Sequence, residues 1–371
     1  MWKSTIVIAR VRGIEIGINW TWIFIFALLV WSLSANLFPE LAKDLPTATY
    51  WVMGTLAAVL FFTSLILHEL GHAFQALREG MRIEGITLWL FGGVAKFSGM
   101  FPSAGAEFRV AIAGPLVTLA IAIVAGALAA IPGTPGSIYA VVYWLAFVNA
   151  TLLVFNLLPA FPMDGGRVLR AAIWQRKQDF ARATELAGAT GRFFGQFFIA
   201  GGIAMALLLG APGGLWLALI GWFVINAGQA EVQMARVRTT FAGMTVTDLM
   251  VKEPRTLPED LTIERFEEQV LPRTRFRAYP VEDRDGTTIG LLRSQTATQT
   301  PRREWSTTTV SDRMVPIGQA LVVDSTKPLS EAAIELMQTE PGRALVMDNG
   351  RLHGLLSITD IARWLDILRR P

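Results

Sequence analysis

The stretch WVMGTLAAVLFFTSLILHELGH, residues Trp51–His72, decides the fold. It carries no charge before His68, and it is long enough to cross a bilayer as a helix, which takes about 20 mostly apolar residues. A charge at the centre of such a span costs about 2.5–3.5 kcal/mol on insertion scales, so ionisable residues there usually have a function. The stretch therefore predicts a transmembrane helix with a functional site at His68, Glu69 and His72.

The spacing of these three side chains indicates a metal site. His68 and His72 are four residues apart, and positions i and i+4 lie on one face of a helix, so both imidazoles can reach one metal ion. Glu69 is placed to act as a general base, as in the HExxH signature of zinc hydrolases. A chance HExxH on a soluble helix is the alternative, but it does not explain two histidines and a glutamate in an uncharged span.

A third protein ligand is needed, because catalytic zinc usually has three protein ligands and a water. The remaining histidine, His353, lies in the polar last third of the chain, so the third ligand should be a carboxylate. Asp164 follows the end of a predicted span on a turn shaped by prolines and glycines. Its alternative role is to cap the N-terminus of a helix that starts at Gly166.

The composition predicts a polytopic membrane protein with a soluble domain. The chain has 371 residues, of which 52% are hydrophobic, and its mean hydropathy is +0.43. Short strands are expected at 14–18 and in a hairpin over 83–97, and a surface helix over 167–189. Transmembrane spans are predicted at about 18–38, 50–77, 106–131, 137–158, 193–211 and 213–234.

The distribution of charge predicts the orientation. Segments 1–17, 78–109 and 164–192 contain 13 Lys and Arg residues, whereas Lys43 is the only one in the three loops on the opposite side. The positive-inside rule then places both termini and the C-terminal domain in the cytosol, with the protein in the cell membrane. After Ala235 there are 19 basic and 19 acidic residues, so the charge gives no case for nucleic-acid binding. The absence of cysteine excludes disulfides and thiolate metal sites.

The predicted hairpin is the least regular part of the membrane region. Residues 83–91 look like a strand, Gly92 and Gly93 break it, and residues 94–97 return as a second strand. Its apolar tip can enter the membrane where protein or a water cavity covers the backbone. A plain surface loop is the alternative.

The last third contains an internal repeat with a spacing of 64 residues. Val246-Thr-Asp-Leu-Met-Val recurs as Val310-Ser-Asp-Arg-Met-Val, and Gly290-Leu-Leu recurs as Gly354-Leu-Leu. Both copies fit the order strand–helix–strand–strand–helix. This pattern predicts a pseudo-symmetric pair in which each copy buries the apolar face of the other. The predicted boundaries are 1–235 for the membrane domain, 236–243 for a linker, and 244–371 for the pair, with copies at about 244–305 and 306–371.

The membrane region resembles the site-2 protease family of intramembrane zinc metalloproteases. The resemblance rests on the HELGH motif at 68–72 and on NLLPAFPMDG at 156–165, and it extends to FGG at 91–93 and AGPL at 113–116. It implies six spans, one Zn²⁺ per chain held by His68, His72 and Asp164, Glu69 as catalytic base, and membrane-spanning proteins as substrates.

Four further residues of the membrane region are candidates for contact with the substrate. Asn156 is a candidate catalytic hydrogen-bond donor to the oxyanion or the substrate carbonyl. Its alternative role is an interhelical hydrogen bond with Asn149, one heptad earlier. We also expect Gly92 and Gly93 to bind substrate, because the edge of the hairpin can pair with an unwound substrate strand. Asn149 is a further candidate for substrate binding.

The repeat resembles a pair of cystathionine β-synthase (CBS) domains, which often bind adenine nucleotides and regulate an attached protein. The nucleotide pattern is present in the second copy, with Ser357 and Asp360 as candidate ligands, and Asp360 is placed to hold ribose hydroxyls. The first copy has Arg293 and Thr296 at those positions, so at most one good site is expected. A purely structural or dimerising pair, giving a homodimer through the CBS domains, is the alternative.

These observations predict an intramembrane zinc endopeptidase that cuts membrane-spanning proteins near the cytosolic face, with a cytosolic CBS pair as regulatory module. The predicted fold is a polytopic α-helical membrane protein with six transmembrane helices and a small membrane-associated β-hairpin, followed by a soluble α/β domain. Two other classes are a CBS-regulated transporter and a non-proteolytic membrane scaffold with a structural zinc. The transporter gives Glu69 no role. Glu69→Gln separates the scaffold from the enzyme, in which zinc should remain while proteolysis is lost.

Overall fold

Long, mostly apolar helices form the N-terminal part of the protein, because the bilayer core requires every backbone polar group to be hydrogen-bonded internally. The computed structural model describes residues 6–89, 92–97, 100–274, 276–339 and 342–368. Within them, six helices are long and apolar enough to cross a membrane. The first span combines α1 (Trp22–Ser32), a π-helical turn (Leu33–Leu37) and α2 (Phe38–Leu41), and the others are α3 (Thr47–Arg78), α4 (Ala104–Ala129), α5 (Gly136–Asn156), α7 (Phe180–Leu208) and α8 (Gly213–Thr240).

The prediction of one surface helix over 167–189 is wrong, and the fifth span starts earlier in the sequence than predicted. Helix α6 (Asp164–Lys177) ends because Gln178 adopts the left-handed conformation, with φ of 55°. The Asp179 side chain then accepts a hydrogen bond from the backbone N–H of Arg182, which caps a new helix. As a result α7 runs unbroken from Phe180, through residues predicted to lie on the surface.

The predicted hairpin is present, but it forms half of a larger sheet. Strands β1 (Ile6–Val11), β2 (Ile14–Ile18), β3 (Ile83–Trp89) and β4 (Gly92–Phe97) form one sheet in that order. Strand β2 pairs with β3 in parallel, and β3 pairs with β4 antiparallel. Residues 90 and 91, at the predicted turn, lie outside the described residues.

The sheet packs against the helix that carries the HELGH motif. Ile14, Ile16 and Ile86 form a buried cluster with Leu70 and Ala73 of α3. Burying apolar side chains of this size contributes about 1.5–3 kcal/mol each. This packing brings the sheet beside Glu69, the residue that precedes Leu70.

Helices α3 and α4 approach each other closely because of a glycine. A Cβ atom at Gly71 would lie 3.0 Å from both the Ala113 carbonyl oxygen and Val117 Cγ2. A larger residue would push the two helices apart. Gly71 therefore lets the histidine side chains on α3 reach partners on α4.

The chain divides into two compact units, Met1–Ala235 and Arg236–Pro371. Helix α8 continues to Thr240, so residues 236–240 of the predicted linker are helical. The second unit contains two four-stranded sheets, ordered β6-β7-β8-β9 and β10-β11-β12-β5. Its strands are β5 (Val251–Lys252), β6 (Leu257–Pro258), β7 (Ala278–Glu282), β8 (Thr288–Arg293), β9 (Val315–Pro316), β10 (Leu321–Val323), β11 (Arg343–Asp348) and β12 (Arg351–Ser357). Its α-helices are α9 (Ile263–Arg265), α10 (Ser294–Thr298), α11 (Val310–Arg313), α12 (Leu329–Gln338) and α13 (Ile358–Leu368).

The two sequence repeats exchange strands. Strand β9, which begins the second copy, completes the sheet of the first, and β5 of the first copy completes the sheet of the second. The matched glycines show the symmetry, since a Cβ at Gly290 would lie 2.6 Å from Met314 Sδ, and one at Gly354 would lie 2.7 Å from Met250 Sδ. The predicted pseudo-symmetric pair is therefore present, with each copy completing the other.

Candidate metal centre

Helix α3 places two imidazoles side by side in the interior of the first unit. His68 and His72 are both 6% exposed, and their Nε2 atoms lie 3.1 Å apart. The i, i+4 spacing on one helix face explains this pairing, as the sequence predicts.

Helix α4 holds the outer nitrogen of each ring. His72 Nδ1 lies 2.7 Å from the Val110 carbonyl oxygen, and His68 Nδ1 lies 2.8 Å from Thr118 Oγ1. Because a carbonyl oxygen only accepts hydrogen bonds, the Nδ1 atom of His72 carries a proton, which leaves Nε2 as the ring nitrogen that can bind a metal ion. Such outer contacts orient metal-binding histidines.

The Asp164 carboxylate meets both rings. Its Oδ2 lies 3.2 Å from His68 Nε2 and 3.2 Å from His72 Nε2. Asp164 is the first residue of α6, and the N-cap position belongs to Met163, which makes no side-chain cap bond. The alternative in which Asp164 caps a helix is therefore wrong.

The geometry of these three groups fits a zinc ion. Ligands about 2.0 Å from a tetrahedral zinc lie about 3.3 Å from one another, and the three ligand atoms here are 3.1–3.2 Å apart. A nitrogen lone pair directed at a carboxylate oxygen is repulsive unless a cation lies between them. Two imidazoles and one carboxylate also form the donor set of many catalytic zinc sites, and they leave a fourth position for water.

Gly114 of α4 leaves room for an ion, and the sequence analysis did not assign it this role. A Cβ atom there would lie 2.8 Å from His68 Nε2 and closer still to His72 Nε2. A glycine within a helix usually costs stability relative to alanine. Its position opposite the ring nitrogens explains why residue 114 is a glycine.

A cavity of about 450 Å³ opens beside these groups. Its lining includes Glu69, Asn156 and Gly93, three of the residues predicted to act on substrate, and it also includes Arg167, which the sequence analysis missed. A Cβ atom at Gly93 would lie 2.6 Å from Glu69 Cγ, so strand β4 passes directly beside that glutamate.

Asn149 of α5 and Gly92 of β4 are the other two predicted substrate contacts. Asn149 is 1% exposed, and its Nδ2 donates to the Leu145 carbonyl oxygen of the same helix. Asn149 is absent from the described lining of the cavity, and the structure gives no support for its predicted role or for a bond to Asn156. Gly92 pairs with Trp89 at the start of β4.

The second unit has its own cleft, of about 500 Å³. Ser357 and Asp360 line it, and Ser357 Oγ donates to Asp360 Oδ2 at 2.5 Å. The lining also contains four arginines that the sequence analysis did not single out: Arg255, Arg277, Arg343 and Arg363. Burial and the neighbouring charge of Arg277 lower the pKa of Arg343 from its ordinary value, although Asp360 acts in the opposite sense.

The membrane helices and the convergence of His68, His72 and Asp164 beside Glu69 define a class, the membrane-embedded metalloproteases. The chain belongs to Peptidase family M50, whose model matches residues 56–134 and 129–198. It is a zinc metalloprotease, a multi-pass membrane protein and, as the sequence resemblance indicates, a member of the site-2 protease family with a CBS pair. The CBS model matches residues 246–296 and 310–367.

Relatives extend along nearly the whole chain. Rip3 of Mycobacterium tuberculosis is 37% identical over 99% of this chain and 94% of its own length. Zinc metalloprotease MJ0392 of Methanocaldococcus jannaschii is 30% identical over 97% of this chain and 95% of its own length. A solved structure of a site-2 protease from the same archaeon is 31% identical, covers 61% of this chain and 94% of that chain, and has a TM-score of 0.41.

Proposed function

We propose that this protein cleaves membrane-spanning proteins inside the bilayer, near its cytosolic face, with one zinc ion held by His68, His72 and Asp164. The observation that carries the proposal is the triangle of two Nε2 atoms and one carboxylate oxygen, with sides of 3.1–3.2 Å, beside a cavity lined by Glu69. When bound, zinc lowers the pKa of a water molecule towards about 7 and polarises the substrate carbonyl.

Glu69 is the proton carrier in this proposal. It accepts a proton from the water that attacks the carbonyl carbon of the substrate. The new C–O bond moves the π electrons onto the carbonyl oxygen, which becomes an oxyanion. When the C–N bond breaks, the leaving nitrogen receives the proton held by Glu69. Asn156 lines the same cavity and is a donor to the oxyanion or to the substrate carbonyl.

The substrate must be extended to react, because a helix hides its carbonyl groups in backbone hydrogen bonds. Strand β4 is an outer strand of the sheet and passes beside Glu69 at Gly93. We infer that an unwound segment of substrate pairs with β4 by β-addition.

Prolines in β4 test this pairing. Neighbouring residues of a strand direct their N–H groups to opposite sides, so either Val94→Pro or Ala95→Pro removes a donor on the outer edge. That variant should lose cleavage and keep its zinc. Unchanged cleavage in both variants contradicts β-addition.

The orientation is also a proposal, which the basic residues support. Segments 1–17, 78–109 and 164–192 carry 13 of the Lys and Arg residues, against Lys43 alone in the opposite loops. The positive-inside rule then places both termini and the CBS pair in the cytosol. The cell membrane is the proposed location.

The CBS pair is proposed to bind an adenine nucleotide and to regulate cleavage. Ser357 and Asp360 supply groups for a ribose, and the arginines that share their cleft suit a phosphate-bearing ligand. Titration of the purified protein with ATP, AMP and adenosine tests this, with Asp360→Ala as the variant that should lose binding. A homodimer through the CBS pair stays a prediction, which the particle mass in detergent tests.

The main experiment combines metal analysis with proteolysis. Wild type and Glu69→Gln are purified in detergent, their zinc content is measured, and both are incubated with single-span candidate substrates. We expect one zinc per chain in both and cleavage by wild type alone. Equal cleavage by Glu69→Gln would overturn the role of Glu69, and absence of zinc would overturn the metal centre.

A further inference from the structure

One cation lines the catalytic cavity without belonging to the metal site. Arg167 follows Asp164 by three residues on α6, and positions i and i+3 share a helix face. Its side chain lines the same cavity as His68 and Glu69. The face of α6 that supplies a carboxylate to the metal therefore also supplies a guanidinium to the reaction space.

The second arginine of α6 has a different use. Arg170 is 3% exposed, and its Nε and Nη2 donate to Glu107 Oε1 at 2.6 and 2.5 Å, while Nη1 lies 3.3 Å from Glu231 Oε1. Its guanidinium also lies 5.0 Å from the centre of the Phe161 ring. Arg170 is thus committed to the packing of α6 against its neighbours.

Arg167 makes no comparable set of hydrogen bonds and ion pairs with described residues. Across the described part of the chain, no hydrogen bond or ion pair joins its guanidinium to another side chain. Burial disfavours its charged form, but the carboxylates of Glu231, Asp164, Glu107 and Glu69 outweigh this effect and raise its pKa above the ordinary value of an arginine. Arg167 therefore keeps a full positive charge, with donors available, in a confined cavity.

The reaction creates a negative charge in that cavity. When the carbonyl carbon is attacked, one electron pair moves to the carbonyl oxygen, and this charge persists until the C–N bond breaks. A fixed cation in a water-poor cavity stabilises such a charge more strongly than bulk water does. The planar guanidinium also offers two parallel donors, which suit the carboxylate formed on the product.

We propose that Arg167 is a catalytic residue that donates hydrogen bonds to the oxyanion formed from the scissile carbonyl and then to the carboxylate of the product. This proposal rests on the proteolytic function proposed above. Arg167 and Asn156 both line this cavity, and under this proposal both donate hydrogen bonds there.

Kinetics of Arg167→Met test the proposal. Loss of one oxyanion donor costs about 10²–10³ in kcat, so kcat should fall by about that factor while KM changes little. Arg167→Lys keeps the positive charge but loses the two parallel donors of the guanidinium, so its kcat should lie between those of wild type and Arg167→Met. Arg176→Met is the matched control, because Arg176 is an exposed residue of the last turn of the same helix. A kcat for Arg167→Met within twofold of wild type overturns the proposal.

A zinc titration separates this role from a structural one. The dissociation constant for zinc is measured by competition with a chromophoric chelator on the metal-free protein. Removal of a nearby positive charge should make zinc bind more tightly, by several-fold, even as kcat falls. Weaker zinc binding and a lower unfolding temperature in both Arg167 variants would instead show a structural role and overturn the proposal. Cleavage by wild type that Glu69→Gln abolishes supports the proposed function whichever result Arg167 gives.

Discussion

The most direct test of the metal centre is the substitution Gly114→Ala. The added Cβ atom would lie 2.8 Å from His68 Nε2 and 2.6 Å from His72 Cε1. Ordinary contacts of this kind exceed 3.4 Å, so the rings or the helix would have to move by more than half an ångström. Metal sites tolerate deviations of only about 0.2 Å in ligand distance. The methyl group therefore opposes zinc binding directly.

The size of the effect follows from the cost of overpacking. An inserted methyl group in a filled site typically costs about 1–3 kcal/mol, and each 1.4 kcal/mol is about a tenfold change in affinity. Gly114→Ala should therefore weaken zinc binding by about 10- to 100-fold. Proteolysis at limiting zinc should fall by a similar factor and recover partly when zinc is added.

Gly126→Ala is the matched control, because it makes the same change in the same helix. The nearest atom to its added Cβ is Ala146 Cβ at 3.9 Å, which is an ordinary contact. Alanine also favours a helix over glycine by about 0.8–1.0 kcal/mol. This variant should bind zinc like wild type and unfold at the same or a higher temperature. Equal zinc affinity in Gly114→Ala and Gly126→Ala would refute the placement of the ion opposite Gly114.

Three other variants test separate parts of the structure. In Gly93→Ala the added Cβ would lie 2.6 Å from Glu69 Cγ, so cleavage should fall about tenfold with zinc content unchanged; full activity would contradict the position of β4 beside the base. Arg170→Met leaves the buried Glu107 carboxylate without its ion-pair partner, which costs about 3–5 kcal/mol of folding free energy. The unfolding temperature in detergent should therefore drop by several degrees, and an unchanged temperature would contradict the ion pair. Hydrogen bonds from its helix cap lower the pKa of Asp312 below 3.8, so the stability that its carboxylate contributes is present at higher pH and is lost as pH falls through the lowered pKa. Asp312→Asn should therefore reduce the acid sensitivity of unfolding below about pH 4. An identical pH profile of the unfolding free energy in both proteins would count against this.

The spans and the histidine pair were predictable because each depends on local sequence. A bilayer demands a long uncharged helix, and spacing i, i+4 fixes the face, so His68 and His72 follow from the motif alone. Asp164 was within reach because prolines and glycines end the helix before it and few acidic residues were available.

Other features could not be predicted because they depend on contacts between distant segments. The need for glycine at Gly114 arises from a facing helix, and nothing in its own neighbourhood indicates it. The exchange of β5 and β9 between the repeats leaves the same local pattern as two separate copies. The end of α6 at Gln178 is different, because a capping aspartate follows it and gives a signal that a long helical pattern concealed.

The depth of the site explains why its ligands come from two kinds of element. His72 lies six residues before the end of α3 at Arg78, about 9 Å at 1.5 Å per residue. A carboxylate at that depth can come from the middle of a span, where it is costly, or from a turn that enters the protein interior. Asp164 uses the second route, because α5 ends at Asn156 and the turn that follows is covered by protein rather than lipid, with Ala160 and Phe161 both 0% exposed. The same turn starts α6, so the arginine proposed to face the oxyanion is held by the same element that completes the metal site.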